Sequence, residues 1–589
     1  MHRTIRWTAL GAAMFALAAC SHHQSQNPIL SYVPANSPYV LANLKPLTKD
    51  IRARLGAPGA MRMSLSADAM QLDHAAVDLD KHGKPHLANV MRTLATTIGG
   101  KSMSQVAQEL GIDINGMFAA YGLGLSPVAR GQLTDPAKFH AYISKLETAY
   151  GKTMGEATFD KVNYQTLTLG KSGLQFIVAT HARAFTLAIL PVKASDQQLG
   201  EALGVTKPQH SLVDAQRLSK LAKSEGYLPY LIGYFDTTKL PPLIAGMRDP
   251  MLQTLITAAG GQSTAAKNFP ASCQPDLVRI AARMPMISMG YTHIASDSIT
   301  TQMDMALAPD ITKAFAGIGT HVPGLGSASQ APFDLALALP VTTLRDFGMA
   351  QADAVQAHPF TCPALTGLNK AFADLKKWLP KAGVPPFGSL RGFHIITDKI
   401  VPAAATSTGT PGMPDASARL LVASSNPAGL LNIIKAFLPG AAQLNITNNG
   451  KPVALTLPNT LATKVHHKPI WLAMGKQALA IGVGAGEDAK LGALVNAAGG
   501  AAGTLSSLHV NGAMYAQWLQ STISAYNGYL ARARAKAGKP PLTTQQQKQQ
   551  QASLDMAFKS LKAIKDISAV ERFDKHGLRV TSTVRWNKP

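Results

Sequence analysis

The sequence predicts an α+β protein made of two related halves of antiparallel sheet, each with helices packed on one face. Three observations carry this. Strands with a period of two meet across short polar turns. Helices that start at proline follow two of these hairpins at matching places. The order of strand, helix and hairpin runs through the chain twice.

The C-terminal hairpin is the clearest element. Leu578, Val580, Ser582, Val584 and Trp586 alternate with Arg579, Thr581, Thr583 and Arg585. That is the pattern of a half-buried strand. Its partner is Ile567–Phe573, across Asp574-Lys575-His576-Gly577. Further hairpins are predicted over Met117–Leu133, over Met286–Leu307, and between Gly392–Ile400 and Arg419–Ser424. Pro402–Ala416, between the last two strands, is rich in Pro, Ala, Thr and Gly and reads as a mobile loop.

Thr134-Asp135-Pro136 and Ser425-Asn426-Pro427 follow the first and third hairpins. Asp and Asn accept the orphan amides of a helix start, and proline has the required φ at the first helical position. Downstream, Val162–Leu169 and Phe185–Leu190 precede a helix at Asp196–Leu203. Gln443–Ile446, Val453–Leu457 and Ala478–Val483 precede a helix at Glu487–Val495. Asn449-Gly450 predicts a type I′ hairpin turn. Apolar strands open at Pro38–Leu44, Pro229–Phe235, Phe333–Leu339 and Leu508–Tyr515. The halves are therefore placed at 35–325 and 326–589.

Tyr32-Val33-Pro34-Ala35-Asn36-Ser37-Pro38-Tyr39 resembles the Leu-Pro-Ala-Asp-Thr-Pro opening of a group of bacterial envelope proteins catalogued as a domain of unknown function. Asn36-Ser37 stands where the group favours Asp-Thr. The Asp135-Pro136 and Asn426-Pro427 helix starts fit the style of that group, which brings no agreed activity with it.

The N-terminus carries two arginines, Arg3 and Arg6, no acid, and then an apolar run from Thr8 to Ala19. A spanning helix needs roughly 20 apolar residues. The shorter run reads as a signal peptide over residues 1–19. Leu17-Ala18-Ala19-Cys20 resembles the lipobox of bacterial lipoproteins. The resemblance implies a diacylglycerol on the Cys20 thiol, cleavage before it and acylation of the new terminus. Two or more acyl chains anchor a protein stably. Ser21 follows the cysteine where an aspartate would imply inner-membrane retention, so the implied location is the outer membrane, facing the periplasm. Residues 20–34 would form the lipidated tether.

A chain of 589 residues with 46% hydrophobic content is long enough for more than one core. The formal charge of +23 stays almost wholly on the mature body. It suits anionic lipid, lipopolysaccharide phosphate, an acidic polymer or DNA, or else serves solubility spread over the surface. The densest basic stretch, Arg532–Lys548, has no aromatic residue to stack on bases, which argues against single-stranded nucleic acid. Three cysteines occur. With Cys20 lipidated, Cys273 and Cys362 remain, in similar proline-containing contexts before apolar helices. In an oxidising compartment they are expected to form a disulfide.

No Gly-x-Ser-x-Gly, Walker loop or His-Glu-x-x-His occurs, and the sequence implies no cofactor. Gly482-Val483-Gly484-Ala485-Gly486 lacks the lysine of a phosphate loop and reads as a tight turn. Asp78, His82 and His86 have helical spacing for a metal. Gly83 and Pro85 interrupt that helix, so a solvated loop is the favoured reading. The seven glutamates are scattered. The expected function is that of a non-enzymatic envelope lipoprotein. It would present a basic α+β surface to an envelope component or a protein partner. The alternatives are a periplasmic hydrolase of cell-wall or lipid material, and a lipid carrier lined by Met286, Met289, Met303 and Met305.

Overall fold

The computed structural model describes residues 29–55, 60–258, 267–401, 415–438, 441–517 and 562–587, with the isolated residues 264, 520, 551 and 555. Cys20, the 402–414 loop and the Arg532–Lys548 stretch lie outside the described residues. The chain divides into two compact units. Unit 1 is Met1–Ala306, Thr361–Thr366 and Ser553–Ser560, and unit 2 is Leu307–Phe360, Gly367–Ala552 and Leu561–Pro589.

Unit 1 carries β1 (Tyr39–Ala42), β2 (Phe118–Leu123), β3 (Ser126–Gln132), β4 (Gly155–Phe159), β5 (Val162–Thr168), β6 (Leu174–His181), β7 (Ala184–Pro191), β8 (Ile232–Asp236), β9 (Met286–Ile294) and β10 (Ser298–Ala306). They pair antiparallel in the order β4-β5-β6-β7-β3-β2-β1-β8-β9-β10. Unit 2 carries β11 (Phe333–Ala338), β12 (Leu390–Val401), β13 (Asp415–Ser424), β14 (Val453–Leu455), β15 (Ile470–Met474), β16 (Ala478–Val483), β17 (Thr504–Asn511), β18 (Ile564–Phe573) and β19 (Gly577–Trp586). Their antiparallel order is β14-β15-β16-β13-β12-β11-β17-β18-β19. Strand for strand the two paths are the same, and β4 is an added edge strand in unit 1. The internal repeat is thus a repeat of topology.

The helices recur as well. Pro136–Tyr150 follows β3 and Pro427–Phe437 follows β13. The Asp135 carboxylate accepts from the amides of Ala137 and Lys138, and the Asn426 side chain accepts from the amide of Gly429. Asp196–Leu203 follows β7 and Asp488–Val495 follows β16. Each of this second pair buries leucines against its own sheet: Leu203 in unit 1, and Leu491 and Leu494 in unit 2. No described helix is long and apolar enough to cross a membrane.

Three details differ from the sequence reading. Gln443–Ile446 forms no strand, and β14 pairs with β15 instead. Asn449-Gly450 is not a type I′ turn, which needs φ > 0 at both central residues. Only Gly450 has positive φ, at 82°, and the Asn449 side chain accepts from the Lys451 amide. Residues 307–325, placed with the first half from sequence, belong to unit 2. The Leu307 amide donates to the His576 carbonyl, and Phe315 sits 5.1 Å from both Phe347 and Phe573, ring to ring.

Cys273 and Cys362 are bonded, with their Cα atoms 4.6 Å apart. The bond keeps Thr361–Thr366 in unit 1, although its sequence neighbours on both sides belong to unit 2. Asp276 fixes the same segment by accepting from the amides of Thr361 (2.7 Å) and Cys362 (2.8 Å). Burial alone would raise this carboxyl, but the two amides, the Thr361 hydroxyl and Arg279 together outweigh it and hold it below the usual range.

Candidate functional site

Strands β11, β12 and β13 are apolar with a few polar interruptions at core-facing positions. Asp334 interrupts β11, His394 interrupts β12 and Arg419 interrupts β13. The register puts Asp334 and Arg419 each opposite Ile396, and His394 opposite Ala336. All three side chains therefore point to one face of the sheet, and all three are buried. A buried polar group is tolerated only when it is partnered, and each of these is.

His394 has a hydrogen-bonding partner at each ring nitrogen. Nδ1 lies 3.0 Å from the Pro323 carbonyl, and Nε2 lies 2.8 Å from Asp334 Oδ1. The ring can approach that carbonyl because Gly324 follows it with φ +76°. A Cβ there would come within 2.8 Å of the imidazole.

Arg419 is held from two sides. One guanidinium nitrogen spans both Asp398 oxygens at 2.8 and 2.9 Å, and its Nε lies 3.2 Å from Glu487. Asp398 reaches it because β12 bulges between Thr397 and Lys399. Glu487 reaches it because the strand opposite offers Gly482, whose absent side chain leaves the room that Glu487 and Leu491 occupy. Lys490 completes the cluster, bonded to Asp398 and 3.2 Å from Glu487. Burial on its own raises the Asp398 carboxyl, but Lys490 and Arg419 more than offset this, and it lies below its ordinary value. Glu487 goes the other way. Burial pushes it up, Arg419 opposes this, and its bond to Asp398 raises it further.

An open cavity of about 460 Å³ lies over these groups. Asp334, His394, Ile396, Asp398, Arg419 and Lys490 line it, together with the segment Ser327–Pro332. The cationic groups Arg419 and Lys490 are matched by carboxylates inside the cluster. What the cavity presents is therefore a set of hydrogen-bonding groups with little net charge.

The matching place in unit 1 is apolar: Val128 pairs with Tyr121 there as Arg419 pairs with Ile396, and it is buried. Unit 1 places its arginine two residues further along the equivalent strand, where Arg130 on β3 faces the end of the helix Asp196–Leu203. Its guanidinium bonds to the Ala202 carbonyl at 3.2 Å and lies under the Tyr32 ring, 4.9 Å from its centroid. Burial raises the neighbouring Tyr121 hydroxyl, and Arg130 opposes that rise. Both units reach this place through a buried Val-Pro step. Pro34 bridges Ser211 in unit 1, and Pro323 bridges Gly499 in unit 2. Only Ala35–Pro38 separates Pro34 from β1, whereas Gly324–Pro332 separates Pro323 from β11. The longer connection is the segment that walls the cavity.

The residues singled out from sequence do not meet here. Asp78 and His82 make an exposed contact at 3.5 Å near the end of the helix Ala60–Lys81. Gly83 turns the chain with φ +68°, and His86 sits on the next helix, 6.2 Å from the Tyr150 ring. Among the described residues, no three His, Cys, Asp or Glu side chains converge on a possible metal position. Met289 and Met303 are register partners on β9 and β10, and Met289 is 47% exposed on the sheet surface. The glycine-rich turn Gly482–Gly486 was seen in the sequence, but its role in placing Glu487 was not. The visible signal was a charge at a core-facing position in each of three apolar strands. No family model, curated protein or solved structure matches this chain.

Proposed function

We propose that this chain is a non-catalytic lipoprotein of the bacterial cell envelope, held on the outer membrane through Cys20. The cavity of unit 2 binds a polar envelope component. The observation that carries the non-catalytic reading is the engagement of both His394 nitrogens by Pro323 and Asp334. A general base must offer a nitrogen to the proton that it removes, and here neither is open. The hydrolase reading has less support for that reason.

The matched charges in the cavity favour a neutral, hydroxyl-bearing group, such as the sugar of an envelope glycan, over an anion or an acyl chain. A carboxylate pair, a lysine and a serine-rich wall supply both donors and acceptors to hydroxyls. The export signal, the lipobox and the lone Cys273–Cys362 bridge are consistent with an oxidising compartment.

The test is mass spectrometry of material retained by the purified protein, alongside a variant with the cavity filled, Ser329→Trp. Glycan retained by the parent and lost in the variant is the expected result. Equal retention by both would remove the cavity from the function. Hydrolysis of a glycan or lipid substrate that disappears in His394→Ala would overturn the non-catalytic reading.

A further inference from the structure

The helix Thr366–Ala382, which belongs to unit 2 from Gly367 onward, has none of its residues buried, although its sequence is amphipathic. Leu368, Phe372, Leu375 and Leu379 fall on one helical face by their spacing, and Ala371, Trp378 and Ala382 widen that face. Only part of the face is used. Leu379 meets the helix Val341–Ala357 at Gly348. Leu375 stays 39% exposed and Trp378 65% exposed.

The chain then turns back at Gly383 against Arg345, and the turn shows two more apolar side chains to solvent. Val384 is 56% exposed and Phe387 is 61% exposed. Leu344, next to Arg345, is 40% exposed. Tryptophan and phenylalanine this exposed mark an interaction surface when they cluster.

The helix is net positive, with Lys370, Lys376, Lys377 and Lys381 against the single acid Asp374. Lys370 and Lys377 share Asp374 and Lys376 pairs with Asp353, which leaves Lys381 as the ammonium beside the exposed rings. The Lys381 ammonium sits 4.0 Å over the Trp378 ring. Lysines bordering exposed Trp, Phe and Leu on an amphipathic helix form the pattern of a helix lying in a bilayer interface. The rings enter the headgroup region while the ammonium groups meet lipid phosphates.

We propose that Thr366–Ala382 and the Val384–Phe387 turn form a docking surface for an anionic lipid bilayer. This contact is separate from any lipid on Cys20 and does not depend on it. It would hold unit 2 against a membrane surface.

The test uses the chain from Ser21 onward, so that neither an acyl chain nor the apolar N-terminal run is present. It is floated with vesicles of phosphatidylethanolamine and phosphatidylglycerol, and with vesicles of phosphatidylcholine alone. The double variant Trp378→Glu with Phe387→Glu is expected to lower partitioning onto the phosphatidylglycerol vesicles by about tenfold or more. Lys381→Gln should lower it about fivefold, and added salt should do the same. Trp378→Phe should keep binding but lose the quenching by brominated acyl chains that the parent shows. Circular dichroism checks that each variant is folded, which is expected because all these side chains are exposed. Equal partitioning of parent and double Glu variant would overturn the proposal, as would quenching unchanged in Trp378→Phe. Equal binding to phosphatidylcholine would overturn the choice of an anionic surface. Loss of lipid from Cys20 in cells would remove the anchor reading and leave this result untouched.

Discussion

The two units share one strand path, and each places an arginine from the equivalent strand beneath the equivalent helix. They use that arginine differently. In unit 1 the guanidinium of Arg130 bonds a helix carbonyl and is roofed by Tyr32. In unit 2 the guanidinium of Arg419 hydrogen-bonds Asp398, pairs ionically with Glu487 and lines an open cavity. The two arginines stand two residues apart on the equivalent strands, and the connection after the Val-Pro step is short in unit 1 and long in unit 2. A duplicated fold can keep its frame while one copy closes over a position that the other leaves open. Function should therefore be sought in the copy with the longer connection.

The largest expected effect concerns the staple that sets unit 1 apart. Cys362→Ser removes a bridge spanning 89 residues. In the chain-entropy model this costs about 4–5 kcal/mol. Guanidinium melts followed by hydrogen exchange should show the loss in the strands of unit 1. A loss confined to β11–β19 would break the assignment of Thr361–Thr366 to unit 1.

The next effect separates the two arginines. Arg419→Met leaves Glu487 and Asp398 with Lys490 alone as their shared cation, and breaking such a buried pair costs about 3 kcal/mol or more. Arg130→Met removes one bond to a carbonyl and a ring contact, and about 1 kcal/mol is expected. Urea melts of the two variants check the order. Equal losses would mean that the cluster in unit 2 adds nothing beyond what Arg130 gives unit 1.

The smallest effect is in the response to acid. Asp398 is lowered from 3.8. Its contribution is therefore complete above that value and is lost as the pH falls through the lower value of the folded state. Glu487 is raised from 4.5, so it works in the opposite sense. Its cost appears as the pH rises through the raised value and is relieved when it takes up a proton. Asp398→Asn should be less stable than the parent near neutral pH, and the gap should narrow below about pH 4. Melts at a series of pH values measure this. A gap independent of pH would show that the Asp398 charge contributes nothing to unit 2.

Much of the frame was legible in the sequence because it is set locally. The alternation after Leu578 has one sheet-compatible face whatever its neighbours are. Asp135-Pro136 and Asn426-Pro427 start helices with their own side chains. The strand-helix-hairpin order repeats along the chain, so the repeat could be seen before the pairing was known. Where the reading failed, a distant partner decided the outcome. β15 took β14 as its neighbour, and the Asn449 side chain bent its own backbone away from a hairpin.

By itself the sequence determined the fold class, the helix starts, the candidate pairing of Cys273 with Cys362, and an expectation of export. All of these depend on residues close in the chain or on how few partners are possible. The candidate site was decided only by tertiary structure. Asp334, His394, Asp398, Arg419, Glu487 and Lys490 come from three strands and a helix start, and no spacing between them signals a shared role. Strand register, the bulge at Asp398 and the missing side chain at Gly482 bring them together. A buried charge cannot remain unpartnered, so the fold that buried each one also had to supply the others.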